Sequence, residues 1–257
     1  MTLPSQEEIK GSLRLLKLDH LLEQWDGILT KAKEEKPSYH RFLSDIVSSE
    51  ATYRRENLRL SRIKRAKIPE HFVMETFPFD KQPNLKKRFV LEIYDSLEFM
   101  KKPQDMIFIG PTGCGKSGLA TSYTIHAMNN GYRGCWIDFK ELLDLLWRAY
   151  GDRTDKKVIK RFSDFDVLVI DELGHSTIRK EQAGLFFNLM KTRHKKKTTM
   201  ITTQLGYDEW ANFLQNEHLT AALLDRMTEN CTVFNMHHCI SIRPKNVRHA
   251  TQEEDKK

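Results

Sequence analysis

The run Gly110-Pro111-Thr112-Gly113-Cys114-Gly115-Lys116-Ser117 follows the apolar stretch Met106–Ile109 and opens a helical pattern. This is the full P-loop spacing, in the strand-to-helix context that distinguishes it from a chance match. Its glycines let consecutive backbone N–H groups turn toward phosphate oxygens at a helix N-terminus, where the peptide dipoles already favour an anion. Lys116 is expected to reach the β- and γ-phosphates of ATP, and the Ser117 hydroxyl to ligate Mg²⁺. A second apolar run, Val167–Ile170, ends in Asp171-Glu172. The tip of a parallel strand faces the ligand crevice, so Asp171 is expected beside the Mg²⁺, with Glu172 polarising an attacking water as general base. Standing alone, the same pair also suits a surface turn. Beside a P-loop it favours hydrolysis over transfer to a second substrate. Gln204 closes the run Thr199–Thr203, and Arg226 lies within Leu223-Leu-Asp-Arg226-Met227. An amide at a strand tip can hold the water or sense the γ-phosphate, and an arginine facing a neighbouring subunit can complete that subunit's site. Taken singly, both also fit surface roles. Their order after the P-loop and the acidic pair gives them weight.

Positioning such residues takes alternating strands and helices. Strands are expected at Met106–Ile109, Cys135–Asp138, Val167–Ile170 and Thr199–Thr203, with a final pair around Thr232–Phe234 and Cys239–Ile242. Helical patterns fall between them at Ser117–Asn129, Lys140–Tyr150, Glu181–His194 and Leu219–Met227. Apolar strands interleaved with helices predict an α/β fold with a parallel sheet covered on both faces. Residues 1–68 read instead as a small all-α domain. Leu18, Leu21, Leu22, Trp25, Ile28 and Leu29 recur at helical spacing, Phe42, Leu43, Ile46 and Val47 form a second stripe, and a third stretch from Ala51 runs to the breaker Pro69. Residues 69–84, with their prolines and Phe72, Phe77 and Phe79, are expected to link this domain to an ATPase domain over 85–250. A charged tail, 251–257, follows.

The 257 residues carry Lys+Arg 42 against Asp+Glu 35, a formal charge of +7. Excess cation points to an anionic partner, so its location matters. Arg54, Arg55, Arg59, Arg62, Lys64, Arg65 and Lys67 stand against one acid, Glu56. Arg55, Arg59 and Arg62 share a helix face. Such a stripe suits the phosphate backbone of DNA rather than base reading, and with so few acids nearby it is expected to lack i,i+4 compensation. The run Lys191-Thr-Arg-His-Lys-Lys-Lys197 is either a solvated loop or a further DNA contact. No transmembrane stretch is expected, and the acid-bearing start MTLPSQEEIK argues against export, so a cytoplasmic protein is expected. Four scattered cysteines outline neither a zinc site nor a disulfide framework.

The ordered set GPTGCGKS, VLVIDELG, TTMITTQ and AALLDRM, with LRLLKLDHLLEQW and EATYRREN upstream, resembles AAA+ ATPases of the DnaA/DnaC group. It is most similar to the IstB-type helper ATPases of insertion-sequence transposition, and the likeness spans almost the whole chain. The resemblance implies an N-terminal helical domain that contacts double-stranded DNA and a transposase, and an ATPase domain that forms homo-oligomers with nucleotide between subunits. It assigns Lys116 and Ser117 to the Walker A pair, Asp171 and Glu172 to the Walker B pair, Gln204 to the sensor position and Arg226 to the arginine finger. The segment Phe77-Pro78-Phe79-Asp80 resembles one that packs near adenine, and reads equally as core-capping aromatics. Gln204 stands where the family has Asn, one methylene shorter. At the C-terminus Arg243–Arg248 replaces a Gly-x-Ser-Tyr-Arg ending, and only Arg248 matches. A helicase loader of the DnaC type and a non-catalytic scaffold with ATP as ligand remain as alternatives.

Overall fold

The structure, a computed structural model, describes residues 4–69, 72–175, 178–239 and 241–242. The chain divides into two compact units at Arg62–Ile63. The first contains α1 (Gln6–Leu15), α2 (Asp19–Glu23), α3 (Trp25–Glu35) and most of α4 (Tyr39–Arg65). Ser5 starts α1 with a capping box, its hydroxyl accepting from the Glu8 N–H while the Glu8 carboxylate accepts from the Ser5 N–H. Two stripes expected as separate helices, around Phe42 and from Ala51, lie on the single 27-residue helix α4. No glycine or proline falls between Tyr39 and Arg65, so nothing interrupts its backbone ladder. Glu50, buried on α4, accepts from the Leu21 N–H at 3.0 Å, and Tyr53 stacks on His20 at 4.9 Å.

The second unit is a three-layer α/β structure. Five strands, β1 (Asp105–Ile109), β2 (Gly134–Asp138), β3 (Val167–Leu173), β4 (Thr198–Thr203) and β5 (Cys231–Asn235), form one parallel sheet in the order β2-β3-β4-β1-β5. Alternation along each strand divides two cores. Met106, Phe108, Val169 and Met200 face one, with Leu119 and Tyr123 of α7 (Lys116–Asn129). Ile107, Ile109, Ile170 and Ile201 face the other. That face is covered by α8 (Phe139–Gly151), α9 (Asp155–Ser163), α10 (Lys180–Arg193), α11 (Tyr207–Leu214) and α12 (Glu217–Glu229). A period of two on a sheet apolar on both sides is the parallel-sheet arrangement expected.

Two expectations change. Cys239 and residues 241–242 form no strand: the Met236 N–H bonds Ile109 O, the chain turns with Cys239 N–H on Met236 O, and the Ile242 N–H reaches Gly113 O at 2.9 Å. One of these backbone donors meets the end of β1, one closes a turn and one reaches the glycine loop, and none joins a sixth strand among the described residues; Ile240, Arg243–Arg248 and the tail lie outside the described residues. Residues 72–84, within the stretch read as a linker, bury Met74 and Phe77 beside Leu85 in the core around α7, in line with the core-capping reading of its aromatics. Its aromatics supply apolar area that a free linker would leave in water. No helix among the described residues is long and apolar enough to cross a membrane.

Candidate nucleotide site

β1 delivers the chain to Gly110, where packing rather than flexibility demands glycine: a Cβ there would come within 2.8 Å of the Met236 backbone. Gly115 has φ 100° and caps α7, a conformation that side chains rarely adopt. Helix α7 begins at Lys116, so its first N–H groups face the loop. The segment before α5 (Lys87–Ser96), which the short α6 (Glu98–Lys101) follows, braces this turn from behind. The fully buried Gln82 donates from Nε2 to Cys114 O at 2.9 Å, the Phe77 ring lies against Gly115, and Phe72 lies against Gly118. The Cys114 thiol is held in its neutral form, its pKa pushed up by burial.

Lys116 is nearly buried, and its ammonium donates to Gly110 O at 2.7 Å and Pro111 O at 2.8 Å. The cation is thus folded onto its own loop. Ser117 Oγ donates to Asp171 Oδ1 at 3.0 Å, joining two residues 54 positions apart. The hydroxyl and the carboxylate are hard oxygen donors beside the glycine loop, and they fit Mg²⁺. A cleft of about 320 Å³ opens at Ser117, lined also by Thr112, Lys116, Glu172, His175, Thr202 and Gln204 among others.

The acidic pair is placed by a feature that periodicity does not announce. The run Val167–Ile170 was expected to end in the carboxylates, but β3 continues to Leu173. Ile170 pairs with Ile201 and Leu173 with Thr203, so β3 spends one extra residue across Asp171-Glu172. Glu172 has φ 59°, left-handed for a side-chain-bearing residue. Such a bulge re-aims side chains while the sheet continues. Thr202, 1% exposed on β4, secures it. Its hydroxyl donates to Asp171 Oδ1 and accepts from the Glu172 N–H at 3.0 Å. One hydroxyl orients both acids, and the sequence marked it only as another strand threonine.

Gln204, just past β4, also reaches the cleft. Its Nε2 lies 2.6 Å from Thr112 Oγ1 and 2.9 Å from His175 Nε2. His175 had no motif to single it out. Arg226 is not among the residues lining the cleft of its own chain. It sits on α12, with Nη1 bonded to Ala222 O at 2.6 Å and its guanidinium 5.1 Å from the Phe187 ring centre.

A family model described as IstB-like ATP binding protein matches residues 11–250. The chain belongs to that family. A relative from Pseudomonas aeruginosa, named for insertion sequence IS21 and for ATP binding, is 28% identical over 229 residues, covering 89% of this chain and 86% of its own. One from Bacillus thuringiensis subsp. berliner, named for IS232 and for ATP binding, is 29% identical over 232 residues, covering 90% and 92%. Among solved structures, AMPPCP-bound DnaA from Aquifex aeolicus aligns with TM-score 0.54 at 15% identity, over 66% of this chain and 51% of that one. The DnaC helicase loader aligns with TM-score 0.51 at 21% identity, over 67% and 97%. At those identities the likeness concerns the fold alone, the parallel sheet flanked by helices.

In this IstB-like chain the two basic runs fare differently. On the first, Arg59 grips Glu56 through two bonds of 2.8 and 2.5 Å, which hold the Glu56 carboxyl below its ordinary pKa. Arg54 donates to Lys17 O at 2.6 Å, and Lys67 pairs with Glu141 at 3.0 Å. A one-turn pair and two partners distant in sequence, none of them at i,i+4, answer three of the cations. Arg55, Arg62 and Lys64 are exposed, with no ion pair among the described residues, and Arg65 is exposed as well. In the second run Arg193 is buried, Lys197 pairs with Asp166, and Lys195 and His194 both hold Glu229. The run is thus not wholly a solvated loop, though Lys191 and Lys196 stay exposed.

Proposed function

We propose that the protein is an AAA+ ATPase that binds ATP·Mg²⁺ at Gly110–Ser117, assembles on double-stranded DNA and regulates a transposase. The observation that carries this reading is the Ser117–Asp171 hydrogen bond at 3.0 Å, with Glu172 held beside it by the bulge. Loop backbone and the α7 N-terminus take the phosphates, and Lys116 exchanges two carbonyls for a phosphate charge, a stronger partner. Mg²⁺ held by Ser117 and Asp171 would neutralise charge on the β- and γ-phosphates. Glu172 accepts a proton as the water oxygen bonds to the γ-phosphorus. The bond to the bridging oxygen breaks, and its electron pair stays on ADP.

Arg226, absent from its own cleft, serves the site of the next subunit in this reading, which ties assembly to nucleotide. Arg54, Arg55, Arg59, Arg62, Lys64, Arg65 and Lys67 supply the DNA contact. One subunit binds weakly through so few phosphates, and assembly sums the contacts. The transposase enters through the relatives, whose names tie them to insertion sequences.

Phosphate release by the wild type and its loss in Glu172→Gln test the chemistry. Duplex affinity measured without nucleotide and with a non-hydrolysable ATP analogue tests the coupling. Equal affinities in the two states would refute it.

A further inference from the structure

Gln204 poses a mechanical problem. It leaves the tip of β4, where the sheet fixes its backbone, but its amide rides on a side chain long enough to swing across the cleft mouth. Two contacts hold it. The amide nitrogen lies 2.6 Å from Thr112 Oγ1 in the glycine loop and 2.9 Å from His175 Nε2. The amide nitrogen has two hydrogens and two partners, so both are used when the neutral imidazole keeps its proton on Nδ1 and leaves Nε2 as acceptor. The carbonyl Oε1 is then the end of the amide left to accept from a water in the cleft.

His175 is itself placed by backbone. Its N–H bonds Glu172 O at 3.2 Å, closing the turn that follows the bulge. Gly174 in that turn has φ 104° and lies against Leu205, where a Cβ would meet the Leu205 side chain at 2.6 Å. The turn that carries Glu172 therefore also carries the group that holds Gln204. His175 is exposed and lies outside the two cores, so packing does not account for it.

We propose that His175 is a positioning residue for hydrolysis: with Thr112 it fixes the Gln204 amide so that its carbonyl faces the attacking water. It rests on the ATPase reading of the cleft. The arrangement couples three segments, the glycine loop, the turn after β3 and the tip of β4, through one amide. It also compensates for a side chain one methylene longer than asparagine.

The test is single-turnover ATP hydrolysis and fluorescent-nucleotide affinity in the whole 257-residue chain. His175→Ala is expected to slow hydrolysis about fivefold, the rate equivalent of one ordinary hydrogen bond, with nucleotide affinity within about twofold of wild type. His175→Gln, which can place an acceptor near the Nε2 position, is expected to recover most of the rate. Added to Gln204→Ala, His175→Ala is expected to have no further effect, because the amide it holds is already gone. An unchanged rate in His175→Ala, a glutamine as slow as alanine, or a full fivefold loss persisting on the Gln204→Ala background would each overturn the proposal. Failure of the underlying reading looks different: the wild type itself would bind nucleotide and release no phosphate.

Discussion

Arg193 and Arg62 each stand in a run of cations, yet the fold treats them as different materials. Arg193 is 1% exposed and donates to Thr199 Oγ1, Phe162 O, Phe165 O and Thr198 O, sewing the end of α10 to β4, to the last turn of α9 and to the chain just after it. Burial depresses its pKa to about 10, against the pull of Asp105, yet leaves it charged at neutrality. Arg62 lies in solvent with no ion pair among the described residues. A count of charges belongs to the chain, whereas their availability to a partner belongs to the fold. A buried guanidinium spends its donors internally and leaves none for phosphate.

The largest effect should come from removing the sewn residue. Arg193→Ala is expected to cost about 3–5 kcal/mol in urea unfolding, because four acceptors and the nearby Asp105 lose their counterpart. A loss below about 1 kcal/mol would erase the distinction between the two runs. Next in size is Arg55→Ala/Arg62→Ala/Lys64→Ala. Duplex affinity should fall about tenfold or more, and the salt dependence should flatten by roughly two to three in log–log slope. Unfolding should stay within about 0.5 kcal/mol of wild type, as surface changes do. A variant that unfolds but binds DNA normally would reverse the assignment of the runs.

A smaller effect concerns Asp105, whose pKa burial raises to about 7 although the Thr199 N–H and Arg193 pull it down. Its folded pKa exceeds the unfolded value, so folding favours the protonated acid. Stability from this group is therefore greatest at low pH and lost as pH rises from about 4 to about 7. Asp105→Asn, which keeps an acceptor for Thr199, should flatten that slope in unfolding titrations. An unchanged slope would show that Asp105 ionises freely. Smallest of all, Lys191→Ala/Lys196→Ala should leave stability within about 0.5 kcal/mol and duplex affinity within about twofold. A tenfold loss of DNA binding there would return the second run to the nucleic-acid surface.

The nucleotide site was far more legible than the helical unit, for a physical reason. Gly110–Ser117 combines a residue order with a local conformation, since a P-loop presents backbone N–H groups only a few residues apart. Its strand, loop and helix N-terminus are contiguous in the chain. The acidic pair was readable as chemistry but not as geometry. The extra residue across Asp171-Glu172 exists only relative to β4, and no pattern within β3 reveals it. Thr202 and His175 were missed for the same reason, because each matters through a partner about thirty residues away. Arg54–Lys67 was readable as a charge excess, while its bonds to Lys17 and Glu141 depend on elements distant in the chain.

By itself, then, the sequence determined the parallel α/β class, the P-loop motif with its Lys116-Ser117 pair, the identity of the two acids and the kinship with IstB-like proteins. These rest on short-range order, where neighbours in the chain are neighbours in space. Only the tertiary structure decided that Ser117 meets Asp171, that one threonine aims both acids and that Arg193 is spent in the core. It also decided that Phe72–Leu85 packs behind the glycine loop. Each of these joins residues far apart in sequence, and only folding decides which distant groups leave water together.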